Sequence, residues 1–174
     1  MQTERRSSDR NMLTHEMLLE VLDYNQETGI FIWKIGCRWC GNKVGYVARY
    51  INANGYIVIQ VGGKKYLAHR LAWLYMKGEW PSSQIDHING VRDDNRLINL
   101  RDVTSAENGQ NQRKAHSSNT TGFLGVRFHK ATKKFRAQIT LDGKTRHLGT
   151  FHTPEIAHAA YITAKRQLHP TCTI

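Results

Sequence analysis

The chain has 174 residues, 40% of them hydrophobic and 22% charged, which excludes a large multidomain assembly as well as a disordered or fibrous polymer. Its net charge of +11 is unevenly placed: residues 1–110 carry 14 Lys/Arg against 12 Asp/Glu, and residues 111–174 carry 11 against 2. A positive field gathered in the last third points to a polyanion partner, nucleic acid first, because lysines and arginines that neutralise phosphates release condensed counterions.

Residues 1–12 are polar and without periodicity, and read as a tail. Thr14 followed by Met17, Leu18, Val21 and Leu22 predicts a short amphipathic helix capped by Thr14 and ending between Tyr24 and Gly29. Ile30 to Ile35 is strand-like. Tyr56 to Val61 and Lys64 to Ala68, on either side of Gly62-Gly63, predict a hairpin. His69 to Met76 has helical spacing and stops before Gly78 and Pro81. A second short helix is expected from about Ser105, capped by Thr104 or Ser105. The polar run Arg113 to Thr121 reads as a linker. Beyond it, Phe123–His129, Lys134–Leu141 and Lys144–Phe151 are three strand-like runs, the last two joined by the turn pair Asp142-Gly143. A helix over 154–168 follows, with Thr153 as N-cap and Pro154 at its first position.

The longest apolar run is the six residues Leu71 to Met76, far short of the roughly 20 that a membrane helix needs. With no secretory leader at the N-terminus, the expectation is an intracellular, cytoplasmic protein without membrane association. Cys37 and Cys40 have half-zinc-site spacing, but structural zinc takes about four ligands and Cys172 has no neighbouring partner, so two reduced thiols are preferred over zinc.

Chemistry concentrates in Ile85-Asp86-His87-Ile88-Asn89-Gly90, followed by Asp93-Asp94-Asn95, Asn99-Leu100-Arg101 and Asn108, with His69-Arg70-Leu71 ahead. Over residues 54 to 112 this pattern resembles the HNH nucleases, in particular the phage and intron-homing branch with Asn at the second and third signature positions. The resemblance implies a ββα-metal domain in which Asp86 and Asn108 are oxygen ligands of one divalent ion. An all-oxygen donor set suits Mg²⁺ or Mn²⁺ better than zinc. It implies His87 as general base and Asn99 as the residue that fixes its tautomer. Asn95 is read as a turn-closing residue, and His69 and Arg70 either touch phosphate or simply begin a helix.

Residues 117–170 resemble a second family, the AP2/ERF DNA-binding domain, through Gly125-Val126-Arg127, Lys134-Phe135-Arg136-Ala137-Gln138-Ile139, Leu148-Gly149-Thr150-Phe151 and a helix with Ala157, Ala159, Ala160 and Tyr161. Alternation agrees independently: Phe135, Ala137, Ile139 and Leu141 share one face of the middle strand, while Lys134, Arg136, Gln138 and Thr140 share the other. The resemblance makes Arg127, His129, Lys134, Arg136, Gln138, Thr140 and His147 contacts to double-stranded DNA. Leu124 and His147 depart from the plant domains, which carry a basic residue and a tryptophan there.

The expectation is therefore an α+β chain: residues 1–115 a ββα-metal HNH nuclease domain with an N-terminal extension, residues 116–174 a three-stranded antiparallel sheet packed on one helix. Such a chain is a site-recognising homing endonuclease of a phage or mobile element, acting in a bacterial host, with a monomer slightly favoured. The rival readings are a non-cleaving DNA-binding regulator and a restriction or structure-specific nuclease.

Overall fold

The computed structural model describes residues 13–36, 43–141, 143–169 and 171–173. The polar tail 1–12, Cys37 and Cys40 with the zinc question they raise, and Asp142 of the last hairpin turn lie outside the described residues. The chain forms two compact units, residues 1–87 with 91–101 and residues 88–90 with 102–174.

In the first unit, helix α1 (His15–Val21) is capped by the Thr14 hydroxyl, which accepts from the Met17 amide. The helix is shorter than its apolar spacing predicts. Strand β1 (Leu22–Asn25) begins at once and pairs antiparallel with β2 (Ile30–Trp33). The Asn25 side chain accepts from the Glu27 and Thr28 amides, and Gly29 takes a left-handed φ of 72°, so a tight turn closes this hairpin. Strands β3 (Tyr50–Ile51), β4 (Ile57–Val61) and β5 (Lys64–Leu67) make a three-stranded antiparallel sheet in the order β3-β4-β5. Helix α2 (Ala68–Lys77) follows without a loop and ends on the left-handed Gly78. Its buried stripe, Ala68, Leu71, Ala72 and Leu74, packs in one core with Leu18, Leu22, Tyr24, Phe31, Ile59 and Ile85. Strand β6 (Gln84–His87), a 3-10 turn at Leu97–Asn99 and strand β7 (Leu100–Val103) complete the elements around the motif, with β6 and β7 forming a two-stranded sheet.

In the second unit, α3 (Ser105–Gln110) opens with a capping box: the Thr104 hydroxyl accepts from the Glu107 amide while the Glu107 carboxylate accepts from the Thr104 amide. Strands β8 (Val126–His129), β9 (Lys134–Leu141) and β10 (Lys144–Phe151) form an antiparallel sheet in the order β10-β9-β8, and α4 (Pro154–Leu168) packs on it. Val126, Ala137 and Ile139 from the sheet meet Ala157 and Tyr161 from α4. That contact demands a glycine at 125. A Cβ there would lie 2.1 Å from the Tyr161 ring, and the backbone is left-handed with φ 75°. The segment expected to be a linker is tied back into this unit. Lys165, fully buried, donates from Nζ to the Gln112 carbonyl, Thr171 donates to the Glu107 carbonyl, and Arg113 donates to the Thr173 hydroxyl.

Candidate active site and nucleic-acid face

Strand β6 ends on the Asp-His pair of the motif. Its burial pattern runs exposed, buried, buried, buried, so that Asp86 and His87 are both enclosed. The Asp86 carboxylate receives Nε and Nη2 of Arg101 at 2.9 and 2.6 Å, both on the same oxygen. Arg101 reaches it from β7, and the pair is largely shielded, with side-chain exposures of 24% and 8%.

His87 is held by Asn95 through a bond of 3.3 Å between ring Nε2 and the amide Oδ1. Because the Asn95 Nδ2 donates to the Asp93 carbonyl, its Oδ1 is the atom that faces the ring. Nε2 therefore carries the proton, and the lone pair belongs to Nδ1. Burial holds the His87 pKa below the usual histidine range, against the opposing effect of the Asn95 bond and the Asp86 and Asp94 charges.

Two distant residues fix Asn95 in turn. The hydroxyl of Tyr24 on β1 donates to the Asn95 carbonyl at 2.8 Å, and burial raises that hydroxyl's pKa to about 12. Gly29 presses on the same loop so closely that a Cβ would lie 2.6 Å from the Asn95 carbonyl carbon and the Arg96 nitrogen. The N-terminal hairpin thus shapes the site.

Behind His87 stands a second imidazole. His69 is 5% exposed, its ring is T-shaped against His87 with centroids 4.9 Å apart, and Tyr56 packs on both rings at 5.4 and 5.9 Å. Its Nδ1 is buried with no hydrogen-bond partner among the described residues. Burial, with His87 and Arg70 beside it, pushes the His69 pKa down to about 3, so this ring is neutral. Of the two readings of His69, phosphate contact or helix start, the structure bears out the helix start: it lies in the first turn of α2, on the buried stripe behind His87. Arg70 donates to the Ser83 carbonyl at 3.0 Å and lies over the Trp80 ring.

Asn99, expected to orient His87, donates its amide to the Asp94 carbonyl at 2.8 Å and so shapes the loop that presents Asn95. Asn95, read as a turn former, makes the bond to the ring. Asn108 lies half-buried on α3 in the second unit. Among the described residues no cluster of three or more His, Cys, Asp or Glu could hold a metal ion.

Residues 66–110 match the HNH endonuclease family. Protein 3.8 of Escherichia phage T7 is 32% identical to this chain over 102 residues, which cover 58% of the chain and 83% of that protein. The chain belongs to the HNH endonucleases. It is a DNA-cleaving hydrolase. A solved structure concerned with DNA binding and cleavage by the HNH homing endonuclease I-HmuI is also similar, at 23% identity and a TM-score of 0.42, covering 79% of this chain and 75% of that one.

In this HNH endonuclease the basic sheet of the second unit displays its polar residues in rows set by strand register. Arg127 of β8 stands opposite Arg136 of β9, which stands opposite Thr150 of β10; His129 faces Lys134, and Gln138 faces His147. Arg127, Thr140 and His147 are exposed, and His129, Lys134, Arg136 and Gln138 are half-buried. Arg127, Gln138 and Thr140 also line a cleft of about 880 Å³ together with Gln112, His116 and Asn119. Phe135 packs with the core as its alternation predicts, and the Phe128 ring, 45% exposed, tilts against it with centroids 5.2 Å apart. Among the described residues no helix is long and apolar enough to cross a membrane, and the half-buried Cys172 takes part in no disulfide.

The residues that sequence reading missed are Tyr24, Gly29, Asn95 and Arg101. Only Asn95 and Arg101 lay inside the motif. Their residue types, an amide beside a histidine and a guanidinium beside a carboxylate, were the available signal.

Proposed function

We propose that this HNH endonuclease is a site-recognising, divalent-metal-dependent enzyme of the homing type, with His87 as general base and a C-terminal AP2/ERF-like module as its DNA reader. The observation that carries the reading is the buried pair at the end of β6: a carboxylate with a cationic partner beside a neutral imidazole whose Nε2–H donates to the Asn95 amide oxygen.

HNH nucleases generally use a divalent metal, and the residues fit a hard one. Asp86 offers a carboxylate and Asn108 an amide oxygen, a donor set that suits Mg²⁺ or Mn²⁺. Arg101 holds one oxygen of the Asp86 carboxylate through its cationic fork. When bound, the ion would supply Lewis-acid stabilisation of the leaving 3′ oxygen. His87 accepts the proton of the attacking water at Nδ1, while Asn95 keeps the other nitrogen protonated and Asn99 and Tyr24 keep Asn95 in place. The depressed pKa of His87 favours the free base at neutral pH, the form that can accept a proton.

In the proposed division, residues 1–115 form the nuclease domain and residues 116–174 the DNA-reading domain. The face of Arg127, His129, Lys134, Arg136, Gln138, Thr140 and His147 lies in the major groove of double-stranded DNA, where such side chains can reach base edges and phosphates. The positive balance of residues 111–174 supports this assignment.

The test is cleavage of phage genomic and plasmid DNA with Mg²⁺ or Mn²⁺, mapped on both strands. EDTA abolishes cutting and the metal restores it. His87→Ala lowers the cleavage rate by on the order of 100-fold or more while DNA affinity stays close to that of the parent. Cutting that persists in EDTA, or a His87→Ala chain that cuts at the parental rate, refutes the assignment.

A further inference from the structure

The arginines around His87 in the first unit differ in what they are bound to. Arg101 is taken up by Asp86, Arg96 is paired with Asp94 at 2.6 Å, and Arg70, held like Arg92 by neutral partners, the Ser83 carbonyl and the Trp80 ring, bears on His69 rather than on His87. Arg92 has no carboxylate partner among the described residues. Its Nη1 donates to the neutral Asn54 carbonyl at 2.8 Å, and its guanidinium lies over the Tyr56 ring, 5.1 Å from the centroid. An exposed arginine ordinarily sweeps through many rotamers; these two contacts fix this one and leave its charge uncompensated.

The support beneath it is the site itself. Tyr56 carries Arg92 on one contact and packs against the His87 ring at 5.9 Å, and the Arg92 charge is felt at His87. A fixed, unpaired, solvent-facing guanidinium one aromatic ring away from the catalytic imidazole matches a site for a phosphate, since the planar fork can meet two non-bridging oxygens at once. We propose that Arg92 is the residue that holds a backbone phosphate of the DNA beside His87, with Tyr56 and the Asn54 carbonyl as its mount. The assignment deepens the nuclease reading above and rests on His87 being the base. Its role is to position the strand and to offset the charge that grows on the phosphoryl oxygens.

The experiment uses the full chain, a supercoiled plasmid with Mg²⁺ as cleavage substrate, and a double-stranded oligonucleotide as binding probe. Arg92→Gln lowers the single-turnover cleavage rate on the order of 100-fold and makes the slope of log affinity against log salt shallower by about 0.9, the contribution of one phosphate. Arg92→Lys recovers the slope, because the charge returns, but only part of the rate, because the fork does not. Arg96→Gln, a variant of the same loop whose arginine is spent on Asp94, keeps the parental slope. A purely structural role for Arg92 would leave the slope untouched, so an unchanged slope in Arg92→Gln overturns the proposal, as does an equal loss in Arg96→Gln. His87→Ala run alongside separates the two readings: parental cleavage there would sink the base assignment, whereas the Arg92 slope reports phosphate contact whichever group is the base.

Discussion

The two units treat their polar residues in opposite ways. In the first, Asp86, His87, His69, Asn95 and Asn99 are all buried, and the bonds that fix them run from Arg101, from the loop around Asp94 and from Tyr24 across 71 positions of sequence. In the second, Arg127, Thr140 and His147 stand exposed on a sheet whose register alone spaces them. Bond breaking needs groups held within fractions of an ångström and shielded from water, so each is braced by several others. On the proposed reading, recognition of a large polyanion needs groups that water can leave and DNA can reach, which a sheet that sets spacing and exposes its side chains can supply.

Removing the brace beneath each region therefore has different consequences, and the largest is expected under the sheet. Gly125→Ala would force a methyl into the Tyr161 ring at 2.1 Å and strain a φ of 75°. Overpacking and left-handed strain together cost about 3 to 5 kcal/mol. Thermal unfolding followed by circular dichroism should show a loss of that order, and sequence-selective binding should fall with it. A variant that melts with the parent would show that Tyr161 can move aside and that the sheet–helix contact is softer than its packing indicates.

At the site the brace is polar. Asn95→Ala removes the acceptor at His87 Nε2 and should lower cleavage about 10- to 100-fold, the usual cost of losing a partner that orients a functional histidine. DNA affinity should stay near the parental value, because the ring still packs against His69 and Tyr56. If the rate survives, the ring is held by packing alone and the contrast between the two units weakens.

How much of this was legible in the sequence follows the same division. The strands and last helix of the second unit are legible almost element by element, because strand alternation and the Thr153, Pro154, Glu155 start of α4 are local signals. Asp86 and His87 were legible because they are adjacent on one strand. Their supports were not, since Tyr24 and Gly29 reach Asn95 only through the fold. The end of α1 was overrun because Leu18, Val21 and Leu22 keep helical spacing right up to the residue where β1 begins. Asn95 was assigned to a turn since loop asparagines commonly bond their own backbone, which it does, at the Asp93 carbonyl, while its other amide atom faces His87.

Burial of two histidines also makes the first unit the acid-sensitive one. His69 titrates at about 3 when folded and near 6.5 when unfolded. As pH falls below about 6.5 the unfolded chain takes up a proton that the folded chain refuses, so stability drops by about 1.4 kcal/mol per pH unit. Between pH 6.5 and 5 the loss is about 2 kcal/mol from His69 alone, and His87, also depressed, adds in the same direction. Urea unfolding at pH 7 and pH 5 measures it. His69→Phe keeps an aromatic ring against His87 and should remove most of that gradient; an unchanged gradient would place the acid sensitivity elsewhere.

The smallest effect belongs to the exposed face, where a change can be made that keeps charge and alters only shape. Arg136 sits mid-sheet between Arg127 and Thr150, and its Nε is buried with no hydrogen-bond partner among the described residues. If it reads a base, the contact is the paired one that a planar fork makes with the O6 and N7 of guanine. Arg136→Lys retains the positive charge and loses the fork. The salt slope should then stay parental, while preference at one position of the bound site relaxes by about 1 kcal/mol, the lower end of what one paired base contact contributes. Binding to a randomised duplex library, compared between parent and variant at two salt concentrations, separates these readouts. A shallower slope with preference unchanged would make Arg136 a phosphate contact, and the base-reading row of the sheet would then have to be sought at Gln138 and His147, the next opposed pair along the strands.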